Sequence, residues 1–293
     1  MKYFRLILIL LVLCFAGHPL CAMHLECGGQ GKAARPIRIL LTGDSLMEAL
    51  GPQMQKAMSG YENITLIPIG KRSTGLSRPD YYNWPKVLEE NLQQHHPHIV
   101  VMWVGANDPQ GIYGKKGLGE PCSKEWLKAY TYKLMEIAGL CQKHHARLIF
   151  MGPPVMDEEP LNTQLLKITD IMRRTCKHYK LGFIDTRPLL ADRQGKYIHR
   201  ATMPDGKVKD IRWKDRVHIT GDGNILIMQK LLPYMGSIIP EERAKGNRLQ
   251  HTDKNSRPTS TGRASFVFDN TLLTAFTLVS TAVIRYTRTA NNQ

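Results

Sequence analysis

Five short, mostly apolar runs separated by segments of helical periodicity constrain this chain more than any other feature of it. They are Ile37 to Thr42, Ile64 to Ile69, Ile99 to Val104, Arg147 to Met151 and Leu181 to Ile184, all of strand length. Ser123, an expected N-cap, opens a stretch with apolar residues at Leu127, Tyr130, Leu134, Ile137 and Cys141. A second such stretch starts at Pro160 and carries Leu161, Leu165, Ile168, Met172 and Cys176. Parallel strands need a crossover between them, and a helix is the usual one. Strands alternating with helices therefore imply a parallel sheet covered on both faces. With right-handed crossovers the fold class is α/β, a three-layer α/β/α sandwich around a central, mainly parallel five-stranded sheet. Gly195 to Trp213 falls outside this rhythm. Its turn signal Pro204-Asp205-Gly206-Lys207 predicts an inserted β-hairpin.

The rhythm occupies residues 36–240. Residues 241–263 are polar, rich in Lys, Arg, Asn, Ser and Thr, and read as a disordered linker. Residues 264–293 form a tail whose uncharged run, Thr271 to Ile284, is shorter than the roughly 18–20 residues a membrane span requires. At the other end, Lys2 and Arg5 precede the apolar run Leu6 to Ala16, and Gly17-His18-Pro19 follows. That order describes a secretory signal over residues 1–22, with an uncleaved anchor as the alternative. The expected location is periplasmic or extracellular, with membrane contact only through an uncleaved N-terminus or the weak C-terminal segment. Cleavage after Ala22 leaves Cys27, Cys122, Cys141 and Cys176, which can pair in three ways or remain thiols. The formal charge of +15 fits an anionic envelope polymer as partner. No nucleic-acid motif accompanies it, so no nucleic-acid partner is expected.

Ligands of a doubly wound sheet bind beyond the carboxyl ends of its strands. The first strand ends in Gly43-Asp44-Ser45, where Gly43 permits a tight turn and Ser45 projects over the sheet edge. The loop after the second strand contains Gly75, which can bring a backbone N–H close to a ligand. The third strand ends in Gly105-Ala106-Asn107-Asp108, and an Asn amide there can donate to a developing oxyanion. Lys214-Asp215-Arg216-Val217-His218 precedes the last helix, expected over Gly221 to Ile238. Asp and His at this spacing can join carboxylate to imidazole Nδ1 and leave Nε2 to accept a proton. Each fragment alone is equally well a turn, a cap or a surface ion pair. His95-His96-Pro97-His98 and His144-His145 sit at predicted helix ends, and no metal site is read from them.

Together, Gly-Asp-Ser, a Gly, Gly-x-Asn-Asp and Asp-x-x-His resemble, in order and on the expected elements, the blocks of the SGNH/GDSL hydrolase superfamily. The resemblance covers Ile37 to about Ile239, and Lys71 to Trp84 (KRSTGLSRPDYYNW) is similar to a branch of exported bacterial SGNH proteins. It implies a flavodoxin-like strand order and a serine esterase with catalytic residues Ser45, Asp215 and His218. Ser45, Gly75 and Asn107 are the implied oxyanion hole, and no cofactor is implied. Asp44, Asp108, Trp213 and Arg216 are the expected substrate contacts. Arg216 departs from the branch, which more often shows Gly there, and a cation beside His218 puts that imidazole's basicity in question. Gly51-Pro52 is expected to interrupt the helix after Ser45. From compartment and charge, the expected substrate is an O-acetyl ester on an envelope carbohydrate. An O-acetyltransferase using the same triad and a non-catalytic glycan-binding module are the alternatives. Between Lys196 and Arg216, seven cations against three anions, with Tyr197, His199 and Trp213 as flat surfaces, suggest that the hairpin reads an anionic polymer.

Overall fold

The computed structural model describes residues 36–61, 63–110 and 120–252. The expected secretory signal over residues 1–22, Cys27, and the apolar run Thr271 to Ile284 lie outside them. The main sheet is built from β1 (Ile37–Gly43), β2 (Ile64–Gly70), β3 (Ile99–Trp103), β4 (Arg147–Met151) and β5 (Gly182–Ile184). They form one sheet in the order β2-β1-β3-β4-β5, parallel throughout. The strand order reverses between β1 and β3, so the loops after these two strands diverge above the sheet and leave a crevice.

The helices are α1 (Ser45–Ala57), α2 (Trp84–His95), α3 (Lys124–Lys143), α4 (Leu161–His178) and α5 (Gly221–Thr252). Side chains alternate across a strand, and the sheet's two faces belong to two apolar clusters. Ile39, Leu41, Val101, Trp103, Ile149 and Met151 pack with Met47, Leu50 and Met54 of α1 and Ile227, Leu231 and Met235 of α5. Leu40, Val100, Met102, Leu148 and Phe150 pack instead with Trp84 and Leu88 of α2, Trp126 and Leu134 of α3, and Leu165 and Met172 of α4. A fully buried side chain of this size contributes about 1.5–3 kcal/mol, so the two clusters hold the three layers together. The expected sandwich is the observed one.

Two helices run further than the sequence suggests. Helix α1 continues through Pro52. Proline there removes one donor, while buried Met47, Leu50 and Met54 anchor the helix on both sides of it. Helix α5 continues past Pro240 to Thr252, where a linker was expected from residue 241. Glu241-Glu242-Arg243-Ala244-Lys245 are strong helix formers, and polarity alone does not exclude a helix. Residues 253–263 of that expected linker are outside the described set. The hairpin is present as β6 (Arg200–Thr202) and β7 (Val208–Asp210), antiparallel and closed by the Pro204–Lys207 turn. Cys122, Cys141 and Cys176 are free, buried thiols. Burial pushes Cys141 and Cys176 up to about 12, which leaves them unreactive at neutral pH.

Candidate active site

Ser45 is the first residue of α1, directly after β1. Gly43, with φ of 152°, makes the turn, and a side chain there would overlap the Trp103 carbonyl of β3. Asp44 caps α1 by accepting the Leu46 N–H at 2.9 Å. The cap and the helix N-terminus orient Ser45 outward at the crevice. The Asp215–His218 loop reaches it from the far end of the chain, held between the hairpin and α5. Thr220 Oγ1 donates to the Asp210 carbonyl of β7 at 2.7 Å and accepts the Gly223 N–H at 3.1 Å.

His218 Nδ1 lies 2.7 Å from Asp215 Oδ2, and His218 Nε2 lies 3.0 Å from Ser45 Oγ. With Nδ1–H donated to the carboxylate, Nε2 is left as an acceptor for the serine hydroxyl. Asp215 Oδ1 also accepts the Val217 and His218 N–H groups, each at 2.9 Å. Partial burial raises the Asp215 carboxyl, but these three hydrogen bonds outweigh it and hold the group below the usual carboxylate range. The line is therefore carboxylate, imidazole, hydroxyl, in the order that lets the imidazole take a proton from the serine.

The expected oxyanion donors gather at the same place. Asn107 Nδ2 donates one hydrogen to the Thr74 carbonyl at 3.0 Å, leaving its second free. Neither the Ser45 nor the Gly75 N–H has an acceptor among the described residues. The 71–77 loop that carries Gly75 is tied into the core. Trp84 Nε1 donates to Thr74 Oγ1 at 3.1 Å, and Thr74 Oγ1 donates to the Lys71 carbonyl at 2.6 Å.

Two expected substrate contacts are buried instead. Asp44 and Asp108 are both 0 % exposed, so neither can touch a ligand in the crevice. Asp108 is structural: Oδ1 accepts the Ser77 N–H at 2.7 Å and Oδ2 accepts the Tyr130 hydroxyl at 2.8 Å. A side chain at Gly75 would overlap this carboxylate, which explains the glycine. Burial is the main cause that pushes Asp44 up to about 8, and the neighbouring Asp108 carboxylate adds to it. Burial raises Asp108 as well. Asp44 as a cap was legible in the sequence, since Asp directly before a helix is a preferred N-cap. The Tyr130 and Ser77 contacts to Asp108 had no local signal.

The other two expected contacts, Arg216 and Trp213, are exposed beside the site. Arg216 adopts φ of 61°, the left-handed region that favours glycine, which accounts for the residue more usual at this place. Its guanidinium pairs with Asp157 at 2.7 Å, so its charge is matched by a carboxylate of the β4–α4 loop. Trp213 holds the loop through its backbone, its N–H donating to the His218 carbonyl at 2.9 Å, while its side chain is 58 % exposed. Beside this loop opens a cavity of about 280 Å³ lined by Met156, Asp157, Glu158, Leu161, Asp215, Arg216 and Val217.

The hairpin's cations are largely committed. Lys209 pairs with Asp222 at 3.2 Å and Arg200 with Asp210 at 3.1 Å, while Arg212 is buried at 1 % exposure. Arg212 is thus one of the seven cations between Lys196 and Arg216 that does not face solvent. The histidines join neighbouring elements: His98 Nδ1 accepts the Arg38 N–H of β1 at 3.1 Å, and His144, the C-cap of α3, has Nε2 3.0 Å from Glu89 of α2.

Residues 38–234 match the model of a family described as a protein of unknown function, DUF459. Solved structures with the same fold include the acetyl xylan esterase AlAXEase, at 18 % identity, 69 % of this chain and 100 % of that one, TM-score 0.51. An alpha/beta hydrolase enzyme from the metagenome of Lake Arreo, Spain, matches at 15 % identity over 68 % of this chain and 94 % of that one, TM-score 0.52. A catalytic mutant of an acetylxylan esterase from Geobacillus stearothermophilus matches at 17 % identity over 69 % of this chain and 94 % of that one, TM-score 0.50. No curated protein sequence matches the chain. The fold is that of the GDSL/SGNH hydrolases.

Proposed function

The chain belongs to the DUF459 family, and from that premise we propose that it is an exported serine esterase that removes O-acetyl groups from a cell-envelope carbohydrate. The observation that carries the reading is the line Asp215 Oδ2, His218 Nδ1, His218 Nε2, Ser45 Oγ, with contacts of 2.7 and 3.0 Å. Ser45 Oγ attacks the ester carbonyl as His218 Nε2 takes its proton, and the Asp215 carboxylate stabilises the imidazolium. The carbonyl oxygen becomes an oxyanion facing the Ser45 and Gly75 N–H groups and the free hydrogen of Asn107. Collapse expels the alcohol, which receives the proton from His218. Water then enters by the same route in reverse, releasing the acid and restoring Ser45.

Charge, the signal-like N-terminal sequence and surface chemistry support the substrate class. The chain is basic, with a formal charge of +15, and the cavity beside Asp215 offers Asp157, Glu158 and Arg216 to hydroxyl groups. The polar Lys71 to Asp80 loop supplies no long apolar groove for a lipid chain.

The test is hydrolysis of p-nitrophenyl acetate, butyrate and octanoate, together with acetate release from an O-acetylated polysaccharide, with Ser45→Ala as control. The reading expects turnover that falls with acyl length and disappears in the control. Turnover that rises with acyl length would move the substrate to lipids. Equal rates in wild type and Ser45→Ala would end the serine-esterase reading.

A further inference from the structure

Arg212 is among the largest fully buried side chains in the protein, and it makes no ion pair among the described residues. Nη1 donates to the Val217 carbonyl at 2.9 Å and Nη2 to the Val155 carbonyl at 2.5 Å. The guanidinium carbon lies 5.3 Å from the centre of the Tyr197 ring, and the buried Nε has no partner. Burial pulls the guanidinium down to about 10, so it stays cationic at neutral pH. Removing a cation from water is expensive, the Asp215 carboxylate offsets only part of that cost from beyond ion-pair distance, and the apolar neighbours give no reason for the burial.

The reason lies in the peptide unit that Arg212 grips. The Val217 carbonyl and the His218 N–H belong to one peptide group. Arg212 holds its oxygen, while Asp215 Oδ1 accepts its hydrogen at 2.9 Å. That peptide is thus clamped at both ends, immediately before the imidazole. Through Val155, Arg212 also joins it to the β4–α4 loop, which Asp157 ties again to Arg216 at 2.7 Å.

We propose that Arg212 is a positioning residue for His218: by fixing the Val217–His218 peptide against the Val155 carbonyl, it sets the distance from His218 Nε2 to Ser45 Oγ. The inference rests on the esterase reading for its kinetic consequence, but not for its geometric one. Lysine keeps the charge yet cannot span two carbonyls as a planar guanidinium does. Arg212→Lys and Arg212→Gln are compared with wild type for kcat and KM on p-nitrophenyl acetate, with folding followed by circular dichroism and thermal melting. Folded Arg212→Lys is expected to lose tenfold or more in kcat with KM changed less than twofold, and to label more slowly with a fluorophosphonate. Added guanidinium is expected to restore part of the activity of Arg212→Ala. Independently of any activity, the proton NMR signal of His218 Nδ1–H, shifted far downfield by the Asp215 carboxylate, is expected to shift or broaden in folded Arg212→Lys. A folded Arg212→Lys with unchanged kcat, or with that resonance unchanged, overturns the inference. A wild type that neither hydrolyses esters nor labels fails the esterase reading instead, and the NMR comparison still decides the role of Arg212.

Discussion

His218 Nε2 stands 3.0 Å from Ser45 Oγ across 173 residues of sequence. In the proposed reaction they are base and nucleophile, and groups joined in this way act as a unit. Ser45→Ala and His218→Ala should therefore each lower ester hydrolysis by about a thousandfold or more, and the double variant should be little worse than either. Circular dichroism should show both variants folded. More than a few per cent residual activity in Ser45→Ala removes it as nucleophile.

Asn107 spends one amide hydrogen on the Thr74 carbonyl and leaves the other free for the oxyanion of the proposed reaction. An oxyanion donor acts mainly in the transition state, so Asn107→Ala should lower kcat by about a hundredfold with KM nearly unchanged. A raised KM at constant kcat would make Asn107 a substrate-binding or turn-forming residue.

Gly75 lies against the Asp108 carboxylate, and that carboxylate cannot retreat from Ser77 N–H and Tyr130 O–H without breaking buried hydrogen bonds. Gly75→Ala should cost about 1–3 kcal/mol of stability in urea unfolding. It should also lower kcat tenfold or more, because the displaced loop carries an oxyanion N–H. An alanine variant as stable and active as wild type would contradict this packing.

The Asp44 carboxyl holds its proton up to about 8 in the folded chain, against 3.8 ordinarily. Between those values the folded state binds more protons than the unfolded one. Its stabilising contribution is full below the ordinary value and is lost as pH rises through the folded one. Asp44→Asn keeps an oxygen for the Leu46 N–H and removes the titration. From pH 5 to pH 8 wild type should lose stability relative to Asp44→Asn, by at most about 1.4 kcal/mol per pH unit. Asp215, held below its ordinary value, has the opposite sign: its contribution is lost as pH falls through its depressed pKa, in a separate acid window. Parallel stability curves for the two proteins would show that Asp44 ionises in the fold without cost.

Much of the site was visible along the chain because it stands on short loops after strongly patterned strands. Ser45, Gly75, Asn107, Asp215 and His218 were each ambiguous alone, and their conjunction, in order on the expected elements, with its resemblance to the SGNH/GDSL blocks, singled them out. Asp44 and Asp108 were misread as substrate contacts because loops offer polar residues to solvent and to the core alike. Arg212 counts among the surface cations in the sequence for the same reason: one of the two carbonyls that let it turn inward, that of Val155, lies 57 residues away. Helix α5 outran its expected end because Glu, Arg, Ala and Lys suit both a linker and an exposed helix.

Periodicity along the chain determined the layers, the strands and the loops from which the chemistry-bearing residues project, and the Pro204–Lys207 turn signal determined the hairpin, since those depend on residues two to four apart. Tertiary structure alone decided which of the polar residues face a ligand and which are buried. It also decided that the Cys122, Cys141 and Cys176 thiols are unpaired and that Arg216 answers to Asp157 rather than to His218. The physical reason is that burial and charge compensation are supplied by partners distant in sequence, and no local pattern encodes which loop will cover which side chain.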